Sequence, residues 1–203
     1  RNRDTHKFAI RQSLHNITRR LFDNHCIQMA TSSTVADKFY KPGGTMLLAQ
    51  GDVVGQIKDR GSDSMGRWSW SKLIGRDKRL ITVISAYQVC KRPTYATGTT
   101  AYHQQESLLR IQGRTDTNPR RNFRKDLTTF LKPMKSRNEH IILAGDFNEQ
   151  LDGGNSNMSK ICQDIGLTDV FALRHPHLPE PPTYIRGSTR LDYFLVSASV
   201  LPS

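Results

Sequence analysis

The chain of 203 residues is poor in several things, and each shortage narrows what it can be. It has no uninterrupted apolar run of roughly 18 residues, so nothing in it is expected to span a membrane. It has only three cysteines, Cys26, Cys90 and Cys162. They are widely spaced and odd in number, which fits neither a disulfide framework nor a zinc-ligand pattern. They are expected to be small core-filling residues in a reducing, intracellular compartment. Acidic residues are scarce, 18 against 30 lysines and arginines, giving a formal net charge of +12. That surplus predicts attraction to polyanions and says nothing of fold. No internal repeat, low-complexity tract or signal peptide is visible, and the chain starts at Arg1. What remains is enough for one domain, 1–203, with a substantial core.

Periodicity supplies the elements. Ile10, Leu14, Ile17 and Leu21 recur at helical spacing and predict an amphipathic helix over 4–22 packed on a sheet. After a polar connection at Thr31–Thr34 and Gly43-Gly44 comes strand-like 45–49. Residues 67–74 and 80–87 read as a β-hairpin turning at Gly75–Lys78. Residues 91–100 read as a loop and 101–112 as a helix. Asn118-Pro119 supplies an N-cap and a first-turn proline for a further helix. Its apolar stripe is Phe123, Leu127, Phe130, Leu131 and Met134, and Arg121, Lys125, Lys132 and Lys135 on the opposite side form a solvated face. Asp152–Asn155 reads as a turn into a short helix marked by Met158, Ile161 and Ile165 and closed by Gly166. Residues 175–182 form an irregular loop in which His175 and His177 are exposed rather than metal ligands. Trp68 and Trp70 share a strand face, where core packing is expected. Strands and helices in this alternation imply sheets covered by helices.

The most informative stretch is Ile141-Ile142-Leu143-Ala144-Gly145-Asp146-Phe147-Asn148. It is an apolar run of buried-strand type that ends at a glycine, a carboxylate and a carboxamide. Open α/β sheets build sites at such strand ends. On a continuing strand Asp146 and Asn148 face the same side, one to manage a water or metal, the other to donate to an oxyanion. The alternative is an Asx turn. Tyr87 ends the strand 80–86 with a hydroxyl able to donate to the same group; an ordinary strand-end tyrosine is the alternative. Asp192 stands before a second apolar strand, 193–196, where a carboxylate is costly unless paired, and Arg190 is the candidate partner.

Three ordered blocks, Ile84-Ser85-Ala86-Tyr87, Gly145-Asp146-Phe147-Asn148 and Thr189-Arg190-Leu191-Asp192-Tyr193-Phe194-Leu195-Val196-Ser197, resemble the endonuclease/exonuclease/phosphatase superfamily. Within it they are most similar to the apurinic-like endonuclease domains of non-LTR retrotransposons, over roughly residues 40–203. The resemblance implies an α/β (α+β) fold: a four-layer sandwich of two packed β-sheets flanked by helices, incomplete here at both termini. It implies a metal-dependent phosphodiesterase using Mg²⁺, with Mn²⁺ as a substitute. The expected role is a DNA endonuclease that leaves a 3′-hydroxyl for a reverse transcriptase encoded downstream in the same polyprotein. A nuclear location follows from the family. The implied catalytic residues are Tyr87, Asp146, Asn148 and Asp192; Tyr184, Arg186 and Arg190 are the implied DNA contacts.

The sequence also departs from that family. It contains no Ser-Asp-His block, whose histidine the matching aspartate orients, and no glutamate before Glu106. The expectation is therefore an internal fragment whose principal metal-binding glutamate and catalytic histidine lie outside it. Two rival readings stay open. One is a phosphatase of the same fold acting on inositol phosphates or lipid headgroups, whose relatives carry Trp-Cys-Asp-Arg at the late aspartate where this chain has Arg190-Leu191-Asp192-Tyr193. The other is an inactive nucleic-acid-binding remnant.

Overall fold

In the computed structural model the described residues are 3–22, 24–31, 43–75, 78–91, 100–151 and 156–201. Helix α1 (Arg3–Leu21) leads into β1 (His25–Thr31) and β2 (Gly44–Gln50), an antiparallel pair. A six-stranded sheet follows, from β3 (Ile57–Ser62), β4 (Trp68–Ile74), β5 (Leu80–Tyr87), β6 (His140–Asp146), β7 (Leu167–Asp169) and β8 (Asp192–Ser197). Its order is β3-β4-β5-β6-β8-β7. Among the described strands only β5 and β6 run parallel, joined by a crossover that holds α2 (Ala101–Ile111) and α3 (Pro119–Ser136). Helices α4 (Asn157–Ile165) and α5 (Val170–Arg174) flank β7 in sequence. The two-stranded sheet packs across β3, β4 and β5. The result is two packed sheets flanked by helices, as expected.

The core explains the apolar run of β6. Ile141 and Leu143 are buried on the helix side, against Leu127, Leu131, Ile161 and Leu195. Ile142 and Ala144 alternate onto the other face and are half-buried, so both faces of this strand favour apolar residues. The expected caps form: the Asn118 side chain accepts from the N–H groups of Arg120 and Arg121, and Pro119 occupies the first turn. Gly166 ends α4 at φ +81°, a left-handed residue that glycine adopts without strain. Trp68 and Trp70 both pack on Phe130, in keeping with a core role.

Three expectations need correction. The stripe of α1 does not pack as a unit, since Ile17 and Leu21 are 50% and 67% exposed. Leu14 and Thr18, four apart, face inward instead, and the Thr18 hydroxyl is satisfied by donating to the Leu14 carbonyl at 2.7 Å. Strands β1, β3 and β7 and helix α5 were not expected; β3 is a polar edge strand whose residues carry no apolar alternation. Of the cysteines, Cys162 packs against the core and its thiol is pushed up to about 11 by burial, but Cys90 is exposed. Thr31, expected in a connection, is the last residue of β1; the side chain of Ile10, the rest of that connection (32–34), most of the 91–100 loop and the 152–155 turn lie outside the described residues.

Candidate active site

Register builds the site. Parallel pairing sets Tyr87 of β5 opposite Asp146 of β6, and antiparallel pairing sets Asp146 opposite Asp192 of β8. Residues paired across neighbouring strands share a face of the sheet. Three side chains from segments distant in sequence therefore form one row, where β5 and β6 end and β8 begins. Tyr87 and Asp146 are half-buried, and Asp192 is exposed. Exposure removes the cost expected for a carboxylate at that strand, so Asp192 needs no ion partner to be tolerated.

The backbone allows this row because residue 145 is glycine. Gly145 has φ +155°, and a Cβ there would lie 1.8 Å from the carbonyl oxygen of Ala86 on the neighbouring strand. No side chain fits, and the absence of one lets β5 and β6 close up directly beneath Tyr87 and Asp146.

Strand β6 stops at Asp146 and does not run on to Asn148. Asn148 is left-handed at φ +47°, and its N–H donates to Asp146 Oδ1 at 2.9 Å, an Asx turn. The two side chains still meet, through the turn rather than along a strand. Asn148 Nδ2 donates to Asp146 Oδ2 at 3.2 Å and to the Gln88 carbonyl at 2.8 Å. Both carboxamide protons are thus engaged within the protein. In this arrangement Asn148 positions the Asp146 carboxylate, and donation to a phosphate oxygen requires it to release one of these bonds. Its Oδ1 accepts from the exposed Cys90 thiol at 3.0 Å.

Beneath the row lies a buried brace that the sequence reading missed. Gln88, fully buried, donates from Nε2 to the Phe147 carbonyl at 2.6 Å and to Glu149 Oε2 at 3.0 Å. Glu149 pairs with Arg120 at 3.3 Å, and Arg120 Nη1 donates to the Val89 carbonyl at 2.6 Å. The only hint in the sequence was a glutamine directly after Tyr87. Burial, followed by the negative charge of Asp192, raises the Asp146 carboxyl above the ordinary aspartate value; the Asn148 hydrogen bonds and the Arg120 charge oppose the rise.

The expected DNA contacts divide. Arg190 is 5% exposed and makes a bidentate pair with Asp169 at 2.6 and 2.8 Å, between the rings of Phe171 and Tyr193. Its guanidinium is thus committed to Asp169 and the two rings, and its tie to Asp192 runs to the backbone carbonyl at 3.2 Å rather than to the carboxylate. Tyr184 and Arg186 are exposed on a turn closed by Gly187 N–H to the Tyr184 carbonyl. Between them Ile185, 97% exposed, was overlooked. The turn is fastened to the row, because Thr183 Oγ1 accepts from the N–H groups of both Leu191 and Asp192.

Among the described residues no group of three or more His, Cys, Asp or Glu side chains is placed to hold a metal by itself. The pair Asp146 and Asp192 offers hard oxygen donors; burial is the larger cause of the rise in Asp146, and the Asp192 charge that adds to it is one that a cation relieves. That donor set suits a magnesium ion completed by water and substrate phosphate, and does not suit a zinc cage.

The model of the endonuclease/exonuclease/phosphatase family matches residues 8–203, a longer stretch than the three motif blocks indicated. No curated protein matches the chain. Among solved structures, the human Nocturnin catalytic domain with bound sulfate aligns at TM-score 0.55 and 13% identity, over 91% of this chain and 64% of that one. The Xenopus laevis APE2 catalytic domain aligns at 0.54 and 13%, over 85% and 67%. The 3′ phosphatase NExo from Neisseria, bound to a product DNA hairpin, aligns at 0.50 and 16%, over 86% and 67%. The chain spans about two thirds of the length of each, and at these identities the likeness is one of fold.

Proposed function

We infer, from a chain that belongs to the endonuclease/exonuclease/phosphatase family, that this protein hydrolyses phosphodiester bonds in DNA as the endonuclease of a non-LTR retroelement. It nicks one strand in the nucleus and leaves a 3′-hydroxyl for a reverse transcriptase carried in the same polyprotein. The observation that carries this reading is the row of Tyr87, Asp146 and Asp192, with Asn148 fastened to its centre. Support for DNA as substrate comes from the charge of +12 and from the exposed Tyr184-Ile185-Arg186 turn fixed to the Asp192 backbone. The APE2 and NExo likenesses agree with it.

Each residue has a task in the reaction. Asp146, held by Asn148, orients the attacking water or takes its proton. Tyr87 donates from its hydroxyl to the phosphate as charge builds. Asp146 and Asp192 would hold Mg²⁺, with Mn²⁺ as a substitute, and a bound cation neutralises charge at the phosphate. Since Asp146 ionises later than an ordinary aspartate as pH rises, activity that needs its carboxylate falls away on the acid side at a correspondingly higher pH.

The sequence contains no Ser-Asp-His motif, so residues 1–203 are expected to bind DNA better than they cleave it. Supercoiled plasmid in Mg²⁺ tests this. Slow nicking is expected, stopped by chelation and reduced ~10²–10³-fold by Asp146→Ala, with nicks that a polymerase extends without prior phosphatase treatment. A longer polypeptide that carries a Ser-Asp-His block is expected to be faster. Nicking that survives chelation, or that is indifferent to Asp146→Ala, overturns the reading.

A further inference from the structure

Strands β5 and β6 begin at the pole of the sheet opposite the row, a β6 length away, or roughly 20 Å at about 3.3 Å per residue. A cavity of about 490 Å³ opens there, lined among others by Lys78, Arg79, Arg137, Glu139, His140 and Ser199. The proposed reaction uses none of these residues.

The cations divide by what they already do. Arg137 donates to buried Glu139 at 2.7 Å, and Lys72 pairs with the same carboxylate at 3.1 Å, so Glu139 is satisfied from within the fold. Lys78 and Arg79 are exposed, and their side chains have no partner among the described residues. Lys78 is held in a left-handed conformation at φ +62° beside this opening. Hydroxyl and imidazole groups complete the lining. His140 Nδ1 lies 2.9 Å from Ser199 Oγ, which is 3.0 Å from Ser197 Oγ, and Ser197 Oγ accepts the N–H of Ile141 at 3.0 Å. This chain of bonds fixes the imidazole at the cavity. Three cations line the space against one carboxylate that is already neutralised, with hydroxyl and imidazole groups among them. That is the chemistry of a phosphate group.

We propose that this cavity is a second phosphate-binding site, for the backbone of a nucleic-acid strand other than the one lying at the Asp146 row. The proposal rests on the DNA reading above, because a nucleic-acid enzyme is what brings a second strand within reach. The two sites lie at opposite poles of the sheet, roughly 20 Å apart, and are expected to fill independently.

The test is the binding of short fluorescent strands to residues 1–203, single-stranded RNA in one arm and duplex DNA in the other, at several salt concentrations. The variants are Lys78→Asn with Arg79→Gln, and separately Tyr184→Ala with Arg186→Ala. Asparagine tolerates the left-handed backbone at 78, and Arg137 is left in place so that Glu139 keeps its partner. Two strands per protein are expected at low salt. The 78/79 variant should fall to one strand in whichever arm fills the cavity, and its log–log salt slope should drop by about 1–2. The 184/186 variant should retain that strand. Unchanged stoichiometry and slope in the 78/79 variant, with binding lost in the 184/186 variant, overturns the second site and leaves the DNA reading standing. No salt-dependent binding in either arm overturns both.

Discussion

Gly145→Ala is expected to abolish stable folding or to cost about 4 kcal/mol or more, the range reserved for the severest single substitutions. The added methyl has nowhere to go, since its carbon would sit 1.8 Å from the Ala86 carbonyl oxygen, at a φ of +155° that alanine avoids. The obstruction is backbone, so no side-chain rotation relieves it. Relief requires β5 and β6 to separate, and that is the pairing that sets Tyr87 beside Asp146. Urea denaturation of the variant beside the parent measures the effect. A loss below about 0.5 kcal/mol, the ordinary range for a surface change, contradicts the close approach described here.

The second large effect is expected at Arg190. Truncation to methionine leaves Asp169 buried without its bidentate partner and removes the cation between Phe171 and Tyr193. Breaking a buried pair by removing one member costs about 3–5 kcal/mol. Arg186→Ala is the control: it is exposed, so stability should stay within about 0.5 kcal/mol while DNA affinity falls. Were Arg190 a substrate contact, the pattern would invert, with Arg190→Met stable and deficient in binding. The same unfolding and anisotropy measurements on both variants decide the matter.

The contrast between these two arginines shows how far the sequence could be read. Arg186 and Arg190 stand four apart in one basic, turn-rich segment, and nothing local separates them. What separates them is Asp169, whose side chain arrives from the end of β7, 21 residues earlier. Long-range pairings of this kind also hid the Gln88–Glu149–Arg120 brace, whose three members come from a strand end, a turn and a helix. The strand-end row was legible because it depends on local signals: an apolar run that ends or begins at a polar residue, three times in order. The core stripe of α3 was legible for the same reason, its helical period matching the residues buried in the structure. Strand β3 escaped because it is an edge strand exposed along most of its length and so carries no apolar alternation. The Asx turn at Asp146 is the alternative to a continuing strand. It forms, and by folding Asn148 back it brings the carboxamide to the carboxylate more directly than a strand would.

The central claim is that Tyr87, Asp146, Asn148 and Asp192 make one cation- and phosphate-binding site. Substoichiometric Mn²⁺ added to ¹⁵N-labelled residues 1–203 tests it most directly, because paramagnetic broadening marks where the ion sits without requiring turnover. The account predicts that the amides of 87, 146, 148 and 192 broaden first, that excess Mg²⁺ reverses the effect, and that Asp146→Asn removes it while the rest of the spectrum stays folded. Broadening centred elsewhere, or at these residues but unchanged in Asp146→Asn, would contradict it.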